Sequence, residues 1–389
     1  MQEHRGTAFF GRVSSFGLSV LSIVFLAMIV ISLPACSRNN PAPSDNPATR
    51  AAPGSDRAAR PESPQPAPDS LRQSSDSRMT DSSPGRQDSR PPASHYIDGL
   101  TQVYQTLNNC SAASVSIALS RWGIDRSQHE LRPRIRPDER AKRGPPERIV
   151  KLLREEELHA DIYHGGSVEL LHELVSAGIP VIVQQLVNAN EQPIGHYRVV
   201  RGYDRRSDEL YAADPLRGED IRLTSEEFYK LWHPFSNRYI PVYRPEQHDA
   251  VTALLGSNSD FETNREQTAN RLRDRLSRDG SAAHHWFALG LNLHDLGRHR
   301  EAVEAYEQAR HNGLSPGVIR YAPWIAAAYN KAGQPEAAYE VADALLADNP
   351  VSGYLLLERA QAAEALGDMD TAHADYQKAR EYDPLLNVE

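Results

Sequence analysis

Hydrophobic and polar positions divide the chain into four stretches. Residues 16–33 are almost wholly apolar, from Phe16 to Leu33. Residues 36–94 carry only Leu71 and Met79 as large apolar residues, among prolines, serines, arginines and aspartates. Residues 95–247 mix helical and strand periods, and residues 258–389 keep to the helical one.

In the third stretch, Ala113, Val115, Ile117, Ala118, Leu119 and Trp122, closed by Gly123, predict a mostly buried helix with a glycine stop. Asn108 and Asn109 are expected N-caps, which puts Cys110 in the first turn. Short helices are expected at Ser127–Leu131, Pro146–Glu156 and Val168–Ser176. The basic Arg132–Arg143 run reads as a solvated loop, with a substrate rim as the alternative. Pro180–Val187 predicts an apolar strand, followed by a loop to Gly195. His196–Tyr203 and Glu209–Ala213 then form a hairpin around Asp204–Asp208. Symmetry about Arg205 sets His196 opposite Asp214 and Arg201 opposite Glu209. Ser225–Trp232 is expected to be a helix with His233 as a capping cation. Tyr239–Tyr243 is expected to be the last strand.

The fourth stretch repeats. Pro316, Pro350 and Pro384 stand 34 residues apart, as do Gly333 and Gly367. Alanines follow the glycines at 302, 338 and 372. The fullest copy holds Trp286, Leu289, Gly290, Gly297, Ala302, Tyr306 and Ala309. This pattern resembles the tetratricopeptide repeat, a helix–turn–helix unit. It implies three copies over about 283–384, preceded by a helix around Ala269, Leu272 and Leu276. His284, His285, His294 and His299 are expected on solvated helix faces rather than on a metal.

The N-terminal stretch changes the compartment. Arg5 and Arg12 precede the apolar run, as in a secretion signal over residues 1–35. Leu33-Pro34-Ala35-Cys36 resembles the lipobox of bacterial lipoproteins, which implies lipidation at Cys36. By the same resemblance, Ser37 rather than aspartate after Cys36 implies the outer membrane of a two-membrane bacterium, with the periplasm as the wider expectation; an uncleaved membrane anchor is the other reading. Residues 36–94 cannot bury enough surface to order themselves, so they read as a linker reaching about 45 Å. Net charge is −9. No domain is strongly basic, which argues against nucleic acid as a partner.

The candidate chemistry gathers around Cys110. A helix N-terminus favours an anion, so the thiol there should ionise readily. A nucleophilic thiol needs a base and the base an orienting group. His196 and Asp214 can supply them. Gln105 can donate to an oxyanion together with the Cys110 backbone. The order Gln, Cys, His, Asp, with cysteine on a helix and the others on strands, is the papain-like arrangement. Residues 98–244 resemble the double-glycine (bacteriocin-processing) branch of papain-like cysteine peptidases. The resemblance rests on Gln105-x4-Cys110, on Gly195-His196-Tyr197 before Val-Val-x-Gly-Tyr-Asp, and on Asp214-Pro215-x-x-Gly218. It implies Cys110 as nucleophile, His196 as base, Asp214 as orienter and Gln105 as oxyanion donor. Relatives usually carry Gly-Pro after the cysteine, where this chain has Ser111-Ala112.

The expected fold is thus an α+β papain-like domain over 95–247, its cysteine helix packed on an antiparallel sheet. An all-α tetratricopeptide solenoid over 258–389 follows. The expected function is an exported, membrane-tethered cysteine peptidase. Its partners are a peptide or protein substrate, a protein bound by the repeats and a membrane through Cys36. No cofactor or metal is implied. A binding module that keeps the fold without turnover is the alternative, with Ser111 as its reason.

Overall fold

The computed structural model describes residues 91–187 and 193–386. The apolar run, Cys36 and nearly all of the linker lie outside them, as does most of the loop before Gly195. Among the described residues no helix is long and apolar enough to cross a membrane.

The first domain is α+β. After strand β1 (Ser94–Tyr96) come four helices: α1 (Cys110–Ser120), α2 (Gln128–Ile135), α3 (Pro146–Glu155) and α4 (Val168–Ser176). Strands β2 (Val181–Leu186), β3 (Gly195–Asp204), β4 (Glu209–Asp214) and β5 (Gly218–Thr224) follow, then helix α5 (Ser225–Trp232) and strand β6 (Tyr239–Pro241). The antiparallel sheet runs β5-β4-β3-β2-β6, with β1 also paired to β3. Strand β5 carries mostly exposed polar residues, so no hydrophobic alternation announces it.

Helix α1 is buried from Ser111 to Leu119, on every side. Its apolar content therefore marks it as central, while its face is not readable from periodicity. The side-chain cap expected from Asn108 or Asn109 is absent. Asn109 is the N-cap residue, but its amide donates to Gln128 Oε1 at 2.8 Å. Gln128 also accepts from the Thr106 N–H at 2.9 Å and donates to the Tyr104 carbonyl at 2.7 Å. Gln128 opens α2, whose start is closed by a reciprocal Ser127–Glu130 capping box. The loop before Cys110 is thus pinned from α2.

The hairpin register differs from the symmetric one. Val199 pairs with Ala213 and Val200 with Ala212, then the register shifts and Gly202 pairs with Tyr211. Arg201 sits at this irregularity and does not face Glu209. It donates to Glu219 at 2.8 Å, and Glu209 pairs with Asp204. Carrying the pairing forward puts Asp214 level with Arg198 and diagonal to His196. A shift of two residues keeps a side chain on its face, so His196 and Asp214 still meet.

Helix α6 (His248–Leu255) adds Val251 and Leu255 to the core of the first domain. Helix α7 (Phe261–Arg278) then leads to three antiparallel helix pairs. These are α8 (Ala283–Asp295) with α9 (His299–His311), α11 (Trp324–Lys331) with α12 (Pro335–Asp348), and α13 (Gly353–Ala365) with α14 (Met369–Tyr382). A single turn, α10 (Pro316–Ile319), fills the insertion between the first two pairs. Small residues at the crossings, Ala302, Ala338, Ala342 and Ala372, are wholly buried.

The repeats pack back onto the first domain. Leu186 and Phe235 share a hydrophobic cluster with Phe287, Leu291 and Trp324. Asn264 of α7 exchanges hydrogen bonds with the His164 backbone at 2.8 and 2.9 Å. Lys142 and Arg143 each reach Asp348 at 3.2 Å, and Arg148 reaches Asp383 at 2.8 Å. The expectation of a solvated 132–143 loop therefore fails. Residues up to Ile135 are helical, Arg136 is only 2% exposed, and the run ends against the repeats.

The histidines expected on solvated faces are also half-buried. His284 and His285 pack on His233, and the Tyr229 hydroxyl meets His285 at 3.3 Å. Burial pushes His233 down to about 4, so it is neutral rather than a capping cation. Among the described residues no group of three or more histidine, cysteine or acidic side chains is placed to hold a metal ion.

Candidate active site

Cys110 opens α1 and is half-buried; it is free, with no disulfide partner among the described residues. His196 comes from the start of β3 and Asp214 from the end of β4. His196 Nε2 lies 2.7 Å from Asp214 Oδ1. Cys110 interacts electrostatically with the same imidazole, and each favours the charged form of the other. The tertiary fold thus brings together three of the residues the sequence singled out.

The electrostatics follow from this contact. Burial opposes ionisation of Cys110. The hydrogen bond and charge of His196, the Tyr197 backbone N–H and the nearby Arg136 outweigh it, and the thiol ionises below its ordinary range. Burial likewise disfavours a charged His196, but Asp214 and Cys110 hold its proton and raise it. Asp214 is wholly buried, yet His196 and Arg198 keep its carboxyl well below the usual carboxylate range. The arrangement favours a thiolate–imidazolium pair braced by a carboxylate.

Asp214 is held on all sides. Its Oδ1 also accepts the N–H groups of Leu216 at 2.7 Å and Arg217 at 3.1 Å. Its Oδ2 accepts Arg198 Nε at 2.6 Å. Arg198 is itself fully buried and donates on to Gln185 at 2.7 Å. Gln102 donates to the Asp214 carbonyl at 2.9 Å. Sequence reasoning missed Arg198 and Gln102. Arg198 was legible, since it lies two residues after His196 and shares its face of the strand. No local pattern marks Gln102.

Gln105 is tied to the same turn through its backbone, which donates to the Pro215 carbonyl at 2.8 Å. Its side-chain oxygen is buried with no partner, so the amide is not committed to holding the fold. Ser111, the departure from Gly-Pro, is 1% exposed and sits against Gly144, where a Cβ would collide with its hydroxyl. It faces the protein interior, and Cys110 faces the cavity described below.

Removing Asp214 leaves the buried Arg198 guanidinium without its counter-charge. Such losses cost about 3–5 kcal/mol. Asp214→Ala is therefore expected to lower unfolding free energy by about that amount at pH 7 in urea titrations. A change below about 1 kcal/mol would show that water reaches the Arg198 site.

Cys110 opens into a cavity of about 280 Å³ between the two domains. Ile135, Arg136 and Tyr197 line one side, and Tyr321, Trp324 and Tyr354 of the repeats line the other. Tyr321 also packs against Gly195, beside His196. A Cβ on Gly195 would stand 2.8 Å from the Tyr321 ring.

Residues 94–240 match the Peptidase_C39 like family, and residues 283–309 match the tetratricopeptide repeat. The chain thus carries a C39-like peptidase domain followed by a tetratricopeptide-type helical region. No curated protein matches it. Among solved structures it is similar to a putative C39-like peptidase from Bacillus anthracis, at 19% identity over 39% of this chain and 98% of that one, TM-score 0.33. It is similar to the peptidase domain of Streptococcus ComA, a bi-functional ABC transporter, at 18% identity over 37% and 98%, TM-score 0.32. It is also similar to the P58(IPK) TPR domain, at 20% identity over 36% and 43%, TM-score 0.22.

Proposed function

We propose that this chain is an exported, lipid-anchored cysteine peptidase whose substrate is a peptide or an extended protein segment. The observation that carries the reading is His196 engaged by Cys110 on one side and Asp214 on the other. The Cys110 thiolate attacks the scissile carbonyl carbon, and the oxyanion meets the Gln105 amide and the N–H at the tip of α1. The C–N bond breaks as His196 gives its proton to the leaving amine, which leaves a thioester. Water then loses a proton to His196 and attacks the thioester. The C–S bond breaks, the acid departs, and the Cys110 thiolate beside protonated His196 is restored.

Ser111 was the reason to consider an inactive binding module. Its burial against Gly144, out of the cavity lining, weakens that reason. Lipidation at Cys36 would hold the enzyme at the bacterial envelope, in the outer membrane or periplasm, with residues 36–94 as tether.

The full chain is expected to cleave members of a quenched fluorescent peptide library, and Cys110→Ala to cleave none. The chain expressed with its leader should partition into detergent, and Cys36→Ala should not. Equal cleavage by wild type and Cys110→Ala would end the peptidase reading; equal partition would end the anchor.

A further inference from the structure

The cavity at Cys110 has an unbalanced charge on its wall. Among its acidic residues Asp138 is matched by Arg140, Asp295 by His164 and Arg238, and Asp383 by Arg148, while Glu147 lines the same cavity. Arg136 is different. It is 2% exposed, and its hydrogen bonds go only to the backbone carbonyls of Glu139 and Ala141. Its Nε and one terminal nitrogen are buried without a partner. Arg143, which lines the same cavity, spends one nitrogen on Asp348 and leaves two others buried and unpaired. Unpaired buried donors on a guanidinium are costly, and Asp138 and Glu139 act on the Arg136 charge without a carboxylate hydrogen bond to it. Such a site is complete only when an anion occupies it. Guanidinium groups bind carboxylates through paired N–H donors. Arg136 and Cys110 line the same cavity, so an anion held there shares that space with the reacting sulfur.

We propose that Arg136, with Arg143, forms a subsite for a carboxylate of the substrate next to the scissile bond. The carboxylate comes from an aspartate or glutamate side chain or from a free C-terminus. This rests on Cys110 being the attacking group. Arg136 then fixes which peptide bond meets the thiolate, while Tyr321, Trp324 and Tyr354 offer aromatic contact to the neighbouring side chains. The pocket closed by the repeats has room for a short segment rather than a folded chain.

Two reagents of nearly equal size test it on the full chain, iodoacetate and iodoacetamide, each followed by mass spectrometry at Cys110. Relative to free cysteine, the wild type is expected to favour iodoacetate by about tenfold or more. The preference should vanish in Arg136→Gln and survive in part in Arg136→Lys, which keeps the charge and loses the fork. Fast reaction with both reagents and no preference overturns the subsite and leaves the peptidase reading standing. Sluggish reaction with both removes the nucleophile, and the subsite with it. Should Arg136→Gln fail to fold, wild-type kinetics decide. A cleaved peptide is compared with its Glu→Gln version and with its C-terminal amide. A loss of about 10- to 100-fold in kcat/KM in one arm identifies the source of the carboxylate. Equal rates in every arm overturn the proposal.

Discussion

His196→Ala is expected to slow alkylation of Cys110 by iodoacetamide at pH 6 by roughly ten- to hundredfold. At that pH a thiol of ordinary pKa is about 0.3% ionised. Paired with His196, Cys110 ionises below its ordinary range, so most of it is thiolate well before a free thiol is. The gain in thiolate is partly offset, because a thiolate of lower pKa is a weaker nucleophile. Without the imidazole, burial is the leading influence left and pushes the thiol upward. The sign with pH follows. The reactive pair forms as pH rises through the lowered Cys110 value and is lost as pH rises through the raised His196 value. The advantage of wild type over variant is therefore largest in mildly acid solution and shrinks toward pH 9. Peptide cleavage should show a bell over the same window. Equal alkylation rates for the two proteins at pH 6 would mean that the thiol and imidazole do not pair in solution.

Deleting residues 258–389 is expected to cost both stability and turnover. Leu186 and Phe235, now 0% and 2% exposed, would lose their cover. Exposing two such side chains costs about 1.5–3 kcal/mol each, a large share of a marginal total. Arg238 would lose Asp295, and His164 its exchange with Asn264. The cavity at Cys110 would lose Tyr321, Trp324 and Tyr354. A fragment ending at residue 257 should therefore melt well below the full chain, and cleave short peptides at least about tenfold more slowly. A fragment with the same melting point and the same kcat/KM would show that the repeats are only an appended binding part.

That dependence marks the limit of sequence reading here. Each half was legible alone. The buried run after Cys110, the strand content around His196 and the 34-residue spacing of glycines and prolines are local periodic signals, and local burial produces them. The meeting of His196 with Asp214 was legible too, because their order and spacing at strand ends leave a mark. The β3–β4 register was not, since nothing local announces the irregularity at Arg201. The basic 132–143 run looked solvated because Asp348, the partner of Lys142 and Arg143, lies more than two hundred residues away.

The sequence by itself determined most of the helices and strands, though not β5 or the end of α2, and which thiol, imidazole and carboxylate are available for chemistry. Only the tertiary structure decided that a diagonal pairing joins His196 to Asp214, that Arg198 backs the carboxylate, and that the repeats close the space above Cys110. The physical reason is range. Periodicity records whether a residue is buried, whereas the partner that satisfies a buried charge or completes a cavity wall is chosen by contacts between segments far apart in the chain.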